Sequence, residues 1–359
     1  MKTNTFIYLL KSNILLFIMR RLSLGIAFFF ACLQFSTISS AIARPATGMT
    51  QSETNQVKEP FDHIRQIKAG LLNVGYVEAG PASGDPILLI HGWPYDIYSY
   101  KEVSEILAAK GYRVLIPYLR GFGSTSFLSA LTHRNGQQSA LAVDMIAFLD
   151  ALKIKNAIVG GFDWGARTAD IMAVLWPERV KGLVSISGYL IGSQAANKTP
   201  LKPQAELSWW YQYYFATDRG QAGYQANTVE FNKLIWHTAS PGWKFSEEIY
   251  QRSAASFNNP DHVQMVIDNY RWRLDMSRGE PEYDLLESKL AAGPAIKVPA
   301  ITLEGDANGA PHPNPGSYSI RFKGRYVHHA ITGGVGHNLP QEAPQAFADA
   351  ILEVAAWTR

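Results

Sequence analysis

Asp163 stands in the segment Gly160-Gly161-Phe162-Asp163-Trp164-Gly165-Ala166. An apolar run of the strand kind, Asn156 to Gly160, precedes it, and a helical pattern from Trp164 to Leu175 follows. Glycines on both sides of one polar residue at a strand-to-helix junction are the pattern of a nucleophile elbow, G-x-Nu-x-G, whose tight turn strains the residue it exposes. Serine is the usual occupant. Aspartate at this point could also simply cap the helix. As a nucleophile it changes the chemistry: a carboxylate is already ionised at neutral pH and can displace a leaving group from a saturated carbon, giving an alkyl-enzyme ester. That chemistry cleaves C–O or C–halogen bonds and does not acylate the enzyme. Two further segments fit around it. His91-Gly92-Trp93-Pro94 follows the apolar run Pro86 to Ile90, and Gly333-Gly334-Val335-Gly336-His337-Asn338-Leu339-Pro340 lies between the last strand and the last helix. His337 on its Gly-rich loop could activate a water molecule. The plain readings are a Gly-Pro turn and an inert loop histidine. His328 and His329 fall on a predicted strand and are read as structural.

Positioning three distant segments needs a scaffold, and the pattern supplies one. Phe61 to Lys68 and Leu71 to Glu78 read as a hairpin. Buried-strand runs follow at 86–90, 113–117, 156–160, 180–186, 300–303 and 326–331, separated by helices at 100–110, 139–152 and 164–175 and closed by a helix at 342–357. Alternating strands and helices imply an α/β fold with a mostly parallel, eight-stranded sheet covered by helices. From about Leu190 to Pro294 no buried strand is legible, and five of the nine tryptophans (209, 210, 236, 243, 272) fall there. This stretch reads as a helical cap at 190–294, inserted into a core of 61–189 and 295–359. It would close an apolar pocket beyond the carboxyl ends of the strands.

Taken in order, the three motifs resemble those of the α/β hydrolases, in the branch of epoxide hydrolases and haloalkane dehalogenases, over about residues 60–359. The resemblance implies that Asp163 is the nucleophile and His337 the base that activates water against the ester. It implies an oxyanion hole formed by the backbone N–H groups of Trp93 and Trp164. Trp210-Tyr211-Gln212-Tyr213-Tyr214-Phe215 and Asn269-Tyr270-Arg271 are similar to the segments carrying the two proton-donating tyrosines of epoxide hydrolases, which points to Tyr211 and Tyr270. The function implied is hydration of apolar epoxides to diols. Haloalkane dehalogenation is the alternative, weakened by Trp93, where that branch typically has Asn, and by Asp163-Trp164 in place of the Asp-Arg of fluoroacetate dehalogenases. A degenerate hydrolase that binds a ligand without turnover is a third reading. The pattern departs from the family at the acid that orients the histidine: the expected position holds Asn308, with Asp306 two residues earlier. Asp306 is the expectation, and Asn308 the substitute. Ser187-Gly188-Tyr189-Leu190, the family's other location, offers no carboxylate.

Composition narrows the partners. The 359 residues are 47% hydrophobic, with 33 basic and 30 acidic side chains. Four of the bases (Lys2, Lys11, Arg20, Arg21) lie in the first 43 residues, which contain no acid, so the remainder carries 29 against 30. No basic cluster suited to nucleic acid is left. Arg20-Arg21, the apolar stretch Leu22 to Phe35 and Ala41-Ile42-Ala43 form an export-signal pattern. The expectation is a signal peptide at 1–43, cleaved near Ala43, a linker at 44–60, and a periplasmic or secreted protein without stable membrane insertion. Translation could start at Met1 or Met19, and an uncleaved anchor is the alternative. The lone Cys32 lies in that leader, so neither disulfides nor cysteine-bound metal are expected. No metal or organic cofactor is implied, and the partners expected are a small apolar substrate and water. Oligomeric state is not legible.

Overall fold

The computed structural model describes residues 60–359, so the expected export signal and nearly all of the linker lie outside the described residues. The strands are β1 (Arg65–Ala69), β2 (Leu72–Ala79), β3 (Pro86–Ile90), β4 (Arg113–Pro117), β5 (Ser126–Phe127), β6 (Ala157–Gly161), β7 (Val180–Ile186), β8 (Ala300–Gly305) and β9 (Tyr326–Ile331). They form one nine-stranded sheet in the order β1-β2-β4-β3-β6-β7-β8-β9, with β5 paired to β2 off this path. The eight expected strands make the path. The ninth is a two-residue strand, too short to leave a periodic signal in the sequence. Pairing is antiparallel among β1, β2, β4 and β5 and parallel from β4 through β9.

Helices α1 (Lys101–Ala109), α2 (Gln138–Ala151) and α3 (Trp164–Leu175) connect the first half of the sheet. Strands β6, β7 and β8 are almost wholly buried. They are rich in Val, Ile, Leu, Ala and Gly, which is what helices on both faces of a parallel sheet demand. Between β7 and β8 the chain runs, among the described residues, only through helices: α4 (Gln194–Asn197), α5 (Pro203–Ser208), α6 (Trp210–Ala216), α7 (Asp218–Ala226), α8 (Thr228–Ala239), α9 (Glu247–Ala254), α10 (His262–Arg273) and α11 (Asp284–Ala291). Short α12 (Pro315–Tyr318) precedes β9, and α13 (Leu339–Glu342) leads into α14 (Pro344–Trp357), which packs on α1 and β7. No described helix is long and apolar enough to cross a membrane.

The inserted helices are fastened to the turn after β3. Trp236 Nε1 on α8 donates to the Pro94 carbonyl at 2.7 Å, and Trp93 Nε1 donates to the Tyr224 hydroxyl on α7 at 2.9 Å. The same hydroxyl lies 3.1 Å from Asn232 Oδ1 and 2.9 Å from His262 Nε2, and His262 Nδ1 returns to the Gly121 carbonyl at 2.9 Å. Burial holds His262 neutral, its pKa pulled down to about 4. The ring therefore has one donor and one acceptor nitrogen, which matches its two partners.

Asp170 on α3 is fully buried. One of its oxygens accepts the Leu190 N–H at 2.8 Å, and the other has no hydrogen-bond partner among the described residues. Burial pushes its pKa up to about 8, only partly opposed by the Leu190 N–H, the nearby Ser185 hydroxyl and the charge of Arg167. The folded protein therefore binds this proton more tightly than the unfolded chain, whose Asp titrates near about 3.9. The group's contribution to stability falls as pH rises between those two values. Asp170→Asn is expected to raise Tm over wild type at about pH 8.5 and to lose the advantage near about pH 4. A difference in Tm that does not change with pH would contradict the assignment.

Candidate active site

The segments after β3, β6 and β9 converge on one carboxylate. Asp163 leaves β6 with φ 55° and ψ −124°. A non-glycine residue reaches such a conformation only when its surroundings enforce it. Its neighbours show how. A Cβ on Gly161 would lie 2.4 Å from the Gly165 carbonyl carbon, and one on Gly165 would lie 1.9 Å from the Ile90 carbonyl oxygen. Both positions exclude any side chain, so β6, β3 and the start of α3 pack closely enough to force the bend. Asp163 is the residue before α3, yet its side chain makes no hydrogen bond that would cap that helix. It turns to the segments expected from the sequence. Oδ1 accepts the Trp93 N–H at 2.8 Å, and Oδ2 lies 3.3 Å from His337 Nε2. Burial alone would push the carboxyl pKa up. The hydrogen bond and charge of His337, the Trp164 N–H and the nearby Arg167 outweigh it and hold the group below the usual carboxylate range.

His91 in the same turn is buried, and its pKa falls to about 4 through burial. Its Nε2 accepts the Leu119 N–H at 3.1 Å, which ties the Trp93 turn to the end of β4.

Tyr211 on α6 and Tyr270 on α10 are both buried, with ring centroids 5.4 Å apart. Each packs on Trp93, at 5.4 Å for Tyr211 and 5.3 Å for Tyr270, and Tyr270 lies 5.9 Å from the Trp164 ring. Burial pushes both hydroxyls well above the ordinary tyrosine range, and the charge of Asp163 adds to the shift. Both stay protonated at neutral pH and can donate.

One expectation is corrected. Asp306 does not meet His337. Its N–H still pairs with the Ile331 carbonyl at 2.9 Å at the end of β9. This leaves its exposed carboxylate beside the start of the histidine loop. There it accepts the N–H groups of Gly333 (3.0 Å), Gly334 (2.9 Å) and Val335 (3.0 Å), which hold it below the usual range. Asn308 does not reach the imidazole either: its amide donates to Glu304 Oε1 at 2.7 Å and lies 3.3 Å from Ser187 Oγ, while its oxygen accepts the Ala310 N–H. His337 Nδ1 is buried without a hydrogen-bond partner among the described residues. The histidine is held through its backbone. Ser240 Oγ accepts the His337 N–H at 2.9 Å and donates to Glu342 Oε1 at 2.6 Å, and Glu342 Oε2 accepts the Gly336 N–H at 2.8 Å.

A cavity of about 390 Å³ opens on the pair and is lined by Asp163 and His337 together with Arg167, Trp209, Arg273 and His312 among others. Sequence reasoning missed both arginines, although helical spacing carried the signal. Arg167 follows Asp163 by four residues and Arg273 follows Tyr270 by three, which puts each on the same helix face as a proposed catalytic residue. Ser240 left no local signal, because its bonds join residues 97 and 102 positions apart.

A crystal structure of a candidate epoxide hydrolase from Klebsiella pneumoniae superposes with a TM-score of 0.82 at 59% identity, over 83% of this chain and 98% of that one. The chain belongs to the α/β hydrolases, in their epoxide-hydrolase-like branch. The family model of the alpha/beta hydrolase fold matches residues 85–230. An epoxide hydrolase of Caballeronia sordidicola is 34% identical over 144 residues, 39% of this chain and 40% of that enzyme. Epoxide hydrolase B of Mycobacterium tuberculosis is 34% identical over 149 residues, 38% of this chain and 41% of that enzyme. The matched segment thus spans about 40% of the length of these curated relatives.

Removing the Ser240 hydroxyl would leave the buried His337 N–H unpaired, which costs about 1–3 kcal/mol. Ser240→Ala is expected to lower Tm and to speed amide hydrogen exchange at 336–338. Unchanged exchange there would show that Ser240 does not hold the loop.

Proposed function

We propose that this hydrolase converts epoxides to vicinal diols through a covalent ester on Asp163. The observation carrying the reading is the double engagement of one carboxylate, with Oδ1 on the Trp93 N–H at 2.8 Å and Oδ2 3.3 Å from His337 Nε2. Oδ2 attacks an epoxide carbon, the C–O bond breaks, and Tyr211 or Tyr270 protonates the departing oxygen. Oδ1 becomes the ester carbonyl oxygen, already seated on the Trp93 N–H. His337 Nε2 then takes a proton from water, and the hydroxide adds to the Asp163 carbonyl carbon. The anion formed sits on Oδ1, where fixed donors are worth the most. Collapse releases the diol and the carboxylate, and the imidazolium proton returns to the tyrosinate. Because His337 reaches the ester with no acid on Nδ1, the reading assigns its orientation to the Asp306, Ser240 and Glu342 contacts to its loop.

Haloalkane dehalogenation is the second reading. It is favoured by the Trp164 indole N–H, which is buried without a hydrogen-bond partner among the described residues and could receive a halide. Against it, the Trp93 indole N–H is already spent on Tyr224. The export reading of residues 1–43 rests on their sequence alone, and N-terminal sequencing of the mature protein tests it.

Diol formation from a panel of epoxides is expected for the wild type and should vanish in Asp163→Ala. Loss of either tyrosine hydroxyl by substitution with Phe should lower kcat by about 10²-fold or more if that group is the acid. Halide release from haloalkanes with no diol from any epoxide would replace the first reading with the second. Asp163 and the tyrosines are shifted away from neutrality in opposite directions, so the alkylation half-reaction should be flat between about pH 5 and about pH 9.

A further inference from the structure

Two guanidinium groups share the cavity with the nucleophile. The Arg167 Nε donates to the Leu190 carbonyl at 3.2 Å, the one hydrogen bond of its side chain among the described residues. The Arg273 guanidinium stacks over Trp209 at 4.8 Å and Tyr270 at 5.5 Å and has no hydrogen-bond partner among the described residues. Each head group is anchored on one side, and neither is in ion-pair contact with a described carboxylate. They face each other closely enough that, after burial, the charge of Arg273 is the main influence pulling the Arg167 pKa down, to about 10. The charged cavity wall thus holds two cations against the single carboxylate of Asp163 when His312 and His337 are neutral.

A neutral substrate would press water away from both guanidiniums and offer nothing in return, at a cost of several kcal/mol for charges left unpaired. A carboxylate on the substrate supplies the missing partner. Arginine presents paired N–H groups that match a carboxylate's two oxygens. The two positive charges also offset the repulsion between that carboxylate and Asp163. The remaining wall includes Leu190, Leu201, Ala205 and Pro311, which suits an apolar body.

We propose that the substrate is an epoxide bearing a carboxylate close to the ring and an apolar body, with Arg167 and Arg273 binding the carboxylate. This rests on the hydrolase reading for the reaction, though not for the binding. It replaces the wholly apolar substrate expected from the aromatic insertion.

Two measurements test it. Binding of cinnamate, an unreactive acid, is compared with that of cinnamamide by calorimetry. Turnover of 3-phenylglycidate is compared with that of its neutral amide. The acid should be preferred by about tenfold or more in both. The preference should collapse in Arg167→Gln and Arg273→Gln and partly return in the Lys variants. Equal binding of acid and amide by the wild type overturns the proposal even if every variant misfolds. Preferred binding of cinnamate that depends on the arginines, with no diol from either epoxide, upholds the anion site and overturns the epoxide reading instead.

Discussion

The structure depends on holding one carboxylate at a backbone conformation it would not choose. Asp163 at φ 55° has no local reason to be there, and the residues around it supply the reason. The Gly161 and Gly165 backbones pack against each other and against the end of β3, leaving no room for a relaxed turn. The strain aims the side chain out of the sheet, where two fixed N–H groups and one imidazole meet it. An ionised group in a half-buried place is unfavourable unless it is compensated, and here His337 and the backbone donors compensate it.

The site is assembled from segments that cannot form it separately. The sheet presents Asp163, the Trp93 turn and the histidine loop at one edge. The inserted helices then hold the last two of these in place. The Trp93–Tyr224–His262 chain and the Trp236–Pro94 bond fix the donor turn, and Ser240, at the end of α8, holds the backbone of His337. The insertion therefore positions the candidate site as well as covering it. The aromatic density read from the sequence as an apolar wall serves largely to fasten the helices to the turn. The cavity itself is charged on one side.

The chain's pattern made the sheet, its parallel half and the helical insertion legible because buried strands and amphipathic helices leave periodic traces. The two-residue β5 leaves no such trace. The meeting of Asp163, His337 and Trp93 was legible because glycine marks every place where the backbone must bend or approach closely. Asp306 misled because an acid near the expected position says nothing about where its oxygens point. Three backbone N–H groups of the neighbouring loop claimed it, and the continued pairing with β9 left it no freedom to turn. Ser240 was illegible because its bonds join segments 97 and 102 residues apart. The arginines were in view at helical spacing from Asp163 and Tyr270, and only the cavity shows that they share a wall with Asp163.

The account's central claim is that the oxygen added to the substrate comes first from the side chain of Asp163. A single turnover in ¹⁸O-water, with enzyme in excess over epoxide, tests it directly. The diol of that first turnover should carry no label, and mass spectrometry of the peptide containing residue 163 should find the ¹⁸O there. Label in the first-turnover diol, with none in the peptide, would mean that water attacks the substrate directly and that Asp163 is not the nucleophile.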